Sequence, residues 1–578
     1  MKNLFALTLL GSTILSCSSP QHHLLITNVN VIDVVTGEVL PNRTVAIDGD
    51  SITAIYTKTI TQGKETEVVD GTGKYLIPGL WDMHVHNNWN YEYTNNLLLA
   101  NGVTGAREMW GNMNIRKKMN EERFSGEPVV DIYSAGVIVD GAPRIWPTSD
   151  EVMSPEEAIA LVKCQVEQGA DFIKIYSLLD RACFDAIAQT AKELGVTFVG
   201  HVPSQIHIKD AAVAGMQTME HLLGIEELAA HDSIIAQSKE MKNSFSSIAV
   251  KHHIYSHLDT TLLDAALLEL QKKNVWMSPT MSAARGYYLK YNKDVIADTR
   301  VEYLPGDMIF DWHPNNQFGP KPDSLELAQR EDLWKFNLEI LKALVRTNTP
   351  IIAGTDYPNP WAFPGFSLHD ELEMYVEAGM SPLQALQTAT LNPSKLMKNE
   401  KIGTVKKENL ASLVLLNQNP LEDINAVRAI ECVVFRGKLF KRDALDSMLE
   451  NTKRRAALPD ASVLIDKLKE EGNLPGSLMG LSSELETLGE SYNLMSLGWE
   501  LYGLAMSYMS NQEFENALLV LQSITQLYPN DQNAWNSYAD GFLAKGDTLN
   551  ALQYYQKALD IYPCSLDIQK KLTEISSK

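Results

Sequence analysis

The stretch Pro78-Gly79-Leu80-Trp81-Asp82-Met83-His84-Val85-His86 is an apolar run that ends in two histidines. Side chains alternate along a strand, so His84 and His86 are expected on one face, about 7 Å apart at Cα. Two imidazoles at one strand end are typical of the start of a metal site, although such a pair also occurs by chance. The interpretation therefore depends on whether the rest of the chain supplies further ligands.

The composition indicates a globular protein of several domains. The chain has 578 residues, of which 45% are hydrophobic and 21% are charged. Its formal net charge of −22 argues against nucleic acid as a partner, because the phosphates would be repelled.

The amino terminus predicts export. Lys2 precedes an apolar run over residues 4–15 that is too short to cross a bilayer. Ile14-Leu15-Ser16-Cys17 resembles the bacterial lipobox, which implies a signal peptide over residues 1–17 and lipidation of Cys17. We then expect a cell-envelope protein that contacts the membrane only through its lipid anchor. An ordinary secretory signal with a chance cysteine is the alternative.

The other cysteines are far apart and lack metal-binding spacing. We therefore predict isolated, mostly buried thiols rather than a disulfide framework or a zinc knuckle for Cys164, Cys183, Cys432 and Cys564.

The body of the chain predicts an α/β fold in two parts. Residues 24–77 and 401–441 read as short strands with Asp/Gly turns, which favours a small β-sandwich built from both flanks. Residues 78–400 alternate apolar strands with amphipathic helices, which fits a (β/α)₈ TIM barrel. The expected strand ends are His86, Glu108, Ala135, Tyr176, His201, His221, Pro279 and Asp356. Residues 284–335 read as an irregular insertion, either a lid or pocket wall or a variable surface loop.

The tail predicts an all-α domain. Residues 442–497 read as a helical linker, and residues 498–531 and 532–565 as two tetratricopeptide (TPR) repeats followed by a capping helix to residue 578. The second repeat carries the pattern at Trp535, Tyr538, Ala539, Phe542, Ala551, Tyr555, Ala558 and Pro563. The repeats either bind a protein partner or dock on the chain's own barrel or a second copy.

Further candidate ligands lie at the expected strand ends. Lys174 sits within the apolar strand Asp171-Phe172-Ile173-Lys174-Ile175, where it is either a carboxylated metal bridge or half of an ion pair. His201, His221 and Asp356 end three other strands. Imidazoles with a carbamate and a carboxylate suit zinc or a similar divalent ion.

Together these motifs resemble the amidohydrolase superfamily, in its imidazolonepropionase-like and Xaa-Pro-dipeptidase-like branch. The resemblance covers roughly residues 24–440 and rests on the His-x-His stretch, Gly169 to Ile175, Val199-Gly200-His201, Met219-Glu220-His221 and Ala353-Gly354-Thr355-Asp356. It does not cover the tail.

The resemblance implies a ligand set. His84 and His86 would bind an inner metal with Lys174 and Asp356, and His201 and His221 a second metal bridged by N6-carboxylated Lys174. Two ions are implied, with zinc as the default, or one ion if Lys174 is not carboxylated. A hydroxide held by the metals would be the nucleophile, and Asp356 the catalytic proton acceptor.

The resemblance also implies the reaction, hydrolysis of an amide or cyclic amide C–N bond in a small molecule. The alternatives are an Xaa-Pro-type dipeptidase and, in another class, a TPR scaffold with an inactive barrel. Candidate substrate-binding residues are Arg144, Arg285 and Tyr288, with Arg107 as a further basic residue near a strand end.

Overall fold

The structure is a computed structural model that describes residues 22–58, 60, 65–87, 91–241, 248–313, 316, 321–470, 478 and 480–577. The predicted signal peptide and the lipidation site Cys17 lie outside the described residues. Within the described ranges, no helix combines the length and the apolar character that crossing a bilayer requires.

The strands follow one another from the β-rich amino-terminal part into the body of the chain. They are β1 (Leu24–Ile32), β2 (Val39–Asp48), β3 (Ser51–Tyr56), β4 (Glu67–Asp70), β5 (Tyr75–Pro78), β6 (Leu80–Val85), β7 (Val103–Glu108), β8 (Asp131–Ser134), β9 (Val139–Gly141), β10 (Asp150–Val152), β11 (Phe172–Ile175), β12 (Thr197–Gly200), β13 (Thr218–Glu220), β14 (Trp276–Ser278), β15 (Leu413–Leu416), β16 (Ile430–Phe435) and β17 (Lys438–Lys441).

The helices lie mainly between the strands of the body and in the carboxy-terminal part. They are α1 (Tyr91–Ala100), α2 (Met113–Phe124), α3 (Pro155–Glu167), α4 (Arg181–Leu194), α5 (Ile208–Val213), α6 (Asp232–Glu240), α7 (Ile248–Tyr255), α8 (Thr260–Gln271), α9 (Met281–Tyr288), α10 (Lys293–Ile296), α11 (Gly306–Trp312), α12 (Ser324–Arg346), α13 (Phe366–Glu377), α14 (Pro382–Thr388), α15 (Leu391–Met397), α16 (Arg442–Ala456), α17 (Ala461–Glu470), α18 (Leu481–Gly489), α19 (Leu497–Ser510), α20 (Phe514–Leu527), α21 (Gln532–Lys545), α22 (Thr548–Ile561) and α23 (Leu566–Ser576). Short 3-10 helices span Glu226–Leu228, Thr299–Tyr303 and Ile424–Arg428.

Both flanks of the body contribute to one mixed sheet. Its strand order is β17-β16-β15-β5-β1-β2-β3, with β4 also paired to β1. The flanks join where β15 runs antiparallel to β5, with Leu413 opposite Pro78. Alternate residues of these strands, including Ile26, Val45 and Leu415, are buried in a shared apolar cluster. This sheet leads directly into β6, because only Gly79 separates β5 from β6.

The strands of the body are parallel. They form a β6-β7-β8 sheet and a β10-β9-β11-β12-β13-β14 sheet. Single parallel bridges connect Ala135 with Phe172, Met277 with Ile351, and Tyr357 with Val85. Parallel pairing brings the carboxyl ends of the strands to one edge, which is where the predicted ligands lie.

Residues 284–335 differ from the expected irregular insertion. Most of their described residues are helical, in α9, α10, α11 and α12 and a 3-10 turn. Among the described residues that suggested a loop, Asn292 and Pro305 lie directly before α10 and α11, at the start of each helix. Gly286 and Gly306 lie within α9 and α11.

The carboxy-terminal helices pack as successive antiparallel neighbours, α19 on α20, α21 on α22 and α22 on α23. Small residues on facing sides, among them Ala505, Ala517, Ala539 and Ala551, are fully buried. Their size lets the helix backbones approach closely.

The prediction of isolated cysteines was wrong for one pair. Cys164 on α3 forms a disulfide with Cys564, which lies 400 residues later, between α22 and α23. The two meet because the tail docks on the body, a contact that cysteine spacing does not reveal. Cys183 and Cys432 are free and buried, as expected.

Candidate metal centre

The predicted ligands converge on Asp356, directly after the carboxyl ends of the parallel strands. Its Oδ1 lies 3.3 Å from His84 Nε2 and 3.1 Å from His86 Nε2. Its Oδ2 lies 3.6 Å from His221 Nδ1, and the His201 ring centroid lies 4.8 Å from that of His221. Ligand-type atoms of His84, His221 and Asp356 all lie within 4.8 Å of one another.

Two atoms at the centre of this group lack partners. In the part of the chain that the structure describes, His84 Nε2 and Asp356 Oδ1 are buried and accept or donate no hydrogen bond. Leaving such a polar atom buried and unsatisfied costs about 1–3 kcal/mol. An imidazole nitrogen and a carboxylate oxygen are also ordinary ligands of zinc and similar ions. The residues present therefore fit a divalent cation.

The other ring nitrogens are held by neighbouring side chains. His84 Nδ1 is 2.7 Å from Glu220 Oε2, His201 Nδ1 is 2.8 Å from Ser177 Oγ, and His221 Nδ1 is 2.7 Å from Thr280 Oγ1. Such contacts fix the orientation of a ligating ring and direct its second nitrogen towards the metal. In each of the three histidines that second nitrogen is Nε2.

Burial keeps His84 and His221 neutral. It lowers the pKa of His84 to about 3 and that of His221 to about 4, with the positive charge of Lys174 acting in the same direction. A neutral imidazole is the form that binds a metal. Burial alone would raise the pKa of Asp356, but the imidazoles of His84, His221 and His86 outweigh it and hold that pKa below its usual range.

A buried ion pair supports the floor of the site. Arg107 and Glu220 are fully buried, and Arg107 Nη2 donates to Glu220 Oε1 at 2.9 Å. Arg107 also donates to the Met83 carbonyl at 2.5 Å and to Thr218 Oγ1 at 2.9 Å. All of these Arg107 hydrogen bonds are made to the protein itself.

Lys174 is fully buried on β11. Burial lowers the pKa of its amine to about 8, against the opposing effect of Glu220 and Asp356. Gly200 on the neighbouring strand has φ +129°, and a Cβ there would lie 2.9 Å from Lys174 Cδ and 2.2 Å from the Ile175 carbonyl oxygen. Glycine at this position leaves the space that the lysine stem occupies. An amine whose pKa is lowered in this way reacts more readily as a nucleophile.

The backbone is strained at several site residues. His221, Thr280 and Asp356 have φ values of 62°, 48° and 60° although none is glycine. Residues in the left-handed region cost about 1–3 kcal/mol each and cluster at functional sites.

Aromatic rings border the centre. The Tyr176 ring stacks on His201 with centroids 3.9 Å apart, and the Trp110 centroid lies 6.3 Å from that of His86. Trp146 Nε1 donates to the Tyr176 hydroxyl at 2.9 Å, and Trp146 is 46% exposed.

The three residues predicted to bind substrate lie on the loop after β9 and on α9. The Arg144 guanidinium forms an ion pair with Asp567 on α23. Arg285 is on α9, and its Nε is buried without a hydrogen-bond partner among the described residues. Tyr288 is buried at the end of α9, with its ring 5.0 Å from that of Tyr287.

Sequence reasoning missed the residues that orient the ligands, above all Glu220, Ser177 and Thr280. Glu220 carries a local signal, since a carboxylate in the buried strand Thr218–Glu220 requires a partner. Ser177 and Thr280 follow their strands in turns and carry no comparable signal.

Comparison with known proteins finds a matching family model, relatives in sequence and a solved structure of the same fold. A model described as the amidohydrolase family matches residues 179–440. Adenine deaminase of Staphylothermus marinus is 36% identical over 505 residues, which cover 82% of this chain and 69% of that protein. Ochratoxinase of Aspergillus niger is 21% identical over 462 residues, which cover 70% of this chain and 84% of that protein. The crystal structure of a Xaa-Pro dipeptidase with bound methionine has a TM-score of 0.53 at 19% identity, covers 72% of this chain and 99% of its own, and shares its fold.

Proposed function

Because the chain belongs to the amidohydrolase family, we propose that it hydrolyses an amide or cyclic amide C–N bond of a small molecule at a divalent metal centre. The observation that carries this proposal is the pair of buried, unpartnered atoms His84 Nε2 and Asp356 Oδ1, 3.3 Å apart among further histidines. A structural cluster would satisfy these atoms with hydrogen bonds.

We assign the inner metal position to His84, His86 and Asp356, together with Lys174. His201 and His221 would hold a second ion, with N6-carboxylated Lys174 as the bridge. The neutral imidazoles, the held Nδ1 atoms and the lowered pKa of Lys174 support this assignment. Zinc is the ion proposed, and one ion would suffice if Lys174 stays unmodified.

A bound divalent cation acidifies water and polarises a scissile carbonyl. In the proposed reaction Asp356 accepts the proton of the attacking water on a carboxylate oxygen and passes it to the leaving nitrogen. Its lowered pKa means that this carboxylate is ionised before the reaction. Glu220 holds His84 in place, and Arg107 keeps the pKa of Glu220 well below its usual range despite burial.

We further propose that the parallel strands close into a (β/α)₈ barrel. Closure is supported by the three single bridges. They extend the strand order from β8 to β11, from β14 to Ile351, and from Tyr357 back to β6. The helix pairs α19–α20 and α21–α22 are proposed to be TPR repeats, supported by their buried alanines and antiparallel packing.

We also propose that the chain is exported and held in the bacterial cell envelope through Cys17. The Cys164–Cys564 disulfide supports export, because disulfides persist mainly in oxidising compartments.

The test is metal analysis of the purified protein, followed by a screen of the metal-loaded enzyme. The screen uses N-acyl amino acids, Xaa-Pro dipeptides, lactams and adenine, the last because of the deaminase relative. We expect close to two equivalents of divalent metal, and turnover of an amide or lactam. Turnover of Xaa-Pro dipeptides alone would identify a dipeptidase instead. Folded protein that takes up no metal and turns over no substrate would refute the hydrolase and favour a scaffold.

A further inference from the structure

The carboxy-terminal helices contact a loop that borders the metal centre. Residues 142–149 connect β9 to β10 and carry Arg144 and Trp146. The Arg144 guanidinium pairs with the Asp567 carboxylate in the first turn of α23. Directly after the loop, Asp150 Oδ2 accepts a hydrogen bond from the buried Tyr562 hydroxyl at 2.5 Å. The tail therefore holds this loop near its start, at Arg144, and at Asp150, the residue that follows it.

On its other side the same loop reaches the ligands. Trp146 Nε1 donates to the Tyr176 hydroxyl at 2.9 Å, and the Tyr176 ring stacks on His201. The Trp146 ring also lies 5.9 Å from Trp110, which borders His86. Because Trp146 is 46% exposed, burial alone holds it weakly.

The tail is anchored to the body independently of this loop. Cys564 is bonded to Cys164 on α3, Lys570 pairs with Glu157 on α3 at 2.9 Å, and Asn114 on α2 donates to the Ile561 carbonyl at 3.0 Å. These contacts fix α23 so that its Asp567 presents a fixed carboxylate to the loop.

We propose that Asp567 and Arg144 are positioning residues, through which the tail holds Trp146 at the wall of the metal centre. Loops that bind substrates are usually mobile unless a rigid scaffold restrains them. Here α23 adds its restraint to two backbone hydrogen bonds of the loop, from Arg144 N–H to Glu151 and from Ile145 N–H to Asp140. Arg144 then restrains the loop rather than binding a substrate carboxylate. The kinetic consequence rests on the proposed hydrolase function, because it concerns how substrate meets the Trp146 wall.

The test is a charge exchange in the full-length protein, with Arg144→Asp, Asp567→Arg and the double variant. Amide hydrogen exchange over residues 142–149 should accelerate in both single variants and return to the wild-type rate in the double variant. On a substrate found in the screen, KM should rise about threefold in the single variants, as loss of a partly exposed ion pair allows, with kcat largely kept. The double variant should restore KM.

Lys545→Gln is the matched control, because it breaks a partly exposed ion pair within the tail, with Glu515 at 2.7 Å, that involves neither α23 nor the loop. It should leave loop exchange and KM unchanged. Unchanged loop exchange in the single variants would overturn the proposal. So would restored exchange without restored KM, since Arg144 would then bind substrate itself. If no substrate is turned over, the hydrolase proposal fails while loop exchange still decides whether the tail restrains the loop.

Discussion

The candidate metal centre and the interface between tail and body both contain buried carboxylates, but the partners of these carboxylates differ. At the centre, Asp356 Oδ1 faces His84 and His86 without a hydrogen bond in the described structure. At the interface, Asp150 Oδ2 accepts from Tyr562 and lies 3.3 Å from Gln165 Nε2. The buried carboxyl group of Asp150, which has hydrogen-bond partners, holds two elements together. The buried carboxylate oxygen of Asp356, which has none, indicates a place for a bound cation.

The pKa values follow the same division. Imidazoles hold the pKa of Asp356 below its usual range in spite of burial, so the centre favours the charged form. Burial raises the pKa of Asp150 to about 7, and the hydrogen bonds and Arg144 only partly oppose this. The interface thus favours a neutral carboxyl group, and the centre a carboxylate.

The largest expected effect is at the centre. Asp356→Asn should lower kcat by about 10³-fold, because the amide cannot accept a proton, while its oxygen still serves as a ligand. Turnover and metal content of the same preparation give the measurement. Asp185→Asn, at an exposed carboxylate paired with Arg181, is the control and should change neither. Full turnover in the Asp356 variant would remove that residue from the reaction.

Breaking the interface should instead affect stability. Cys564→Ala should lower the free energy of unfolding by about 2–5 kcal/mol, because the unfolded chain is no longer closed by the disulfide. Urea denaturation measures this loss, and kcat should stay near the wild-type value. Cys432→Ala, at a buried free thiol, should cost less. A loss of kcat as large as that of the Asp356 variant would contradict the separation of the two regions.

An intermediate effect is expected for the residue that orients His84. Glu220→Gln should weaken zinc binding by about 10–100-fold, because the partner of Nδ1 becomes neutral. Competition with a chromophoric chelator measures the affinity, and circular dichroism confirms the fold. Glu193→Gln on the exposed face of α4 is the control. Unchanged affinity would limit Glu220 to its ion pair with Arg107.

The last prediction concerns the pH dependence of stability that Asp150 contributes. This effect is the smallest when it is expressed per pH unit. The pKa of Asp150 is raised from 3.8 to about 7 in the folded protein, which therefore binds the proton more tightly than the unfolded chain. The stabilisation is complete below about pH 4 and is lost as the pH rises through 7, at up to about 1.4 kcal/mol per unit. Relative to Asp150→Asn, the wild type should thus lose stability over this range in denaturation curves. A difference that is flat with pH would show that Asp150 is ionised when buried.

Much of the body was predictable because its signals are local. Strand ends are marked by apolar runs that end at or next to His86, Lys174, His201 and His221. The corresponding strands β6, β11, β12 and β13 end within one residue of the expected positions. Whether all six ligands bind metal stays a prediction, tested by the experiments above.

The parts that could not be predicted depend on long-range packing. Cys164 and Cys564 meet only because α23 docks beside β10, and the same docking engages Arg144 with Asp567. Neither contact leaves a trace in local periodicity or spacing. Residues 284–335 differ from the expectation for another reason, since short helices that begin after Asn292 and Pro305 resemble a loop in composition.

The Cys164–Cys564 bond also determines what proteolysis can do to this protein. It closes a covalent ring across 400 positions, and Lys174, His201, His221 and Asp356 all lie inside it. A single backbone cut anywhere within the ring leaves the two fragments joined, so they separate only after reduction. His84 and His86 lie outside the ring, and a cut between them and Cys164 releases them from any covalent tie to the other candidate ligands.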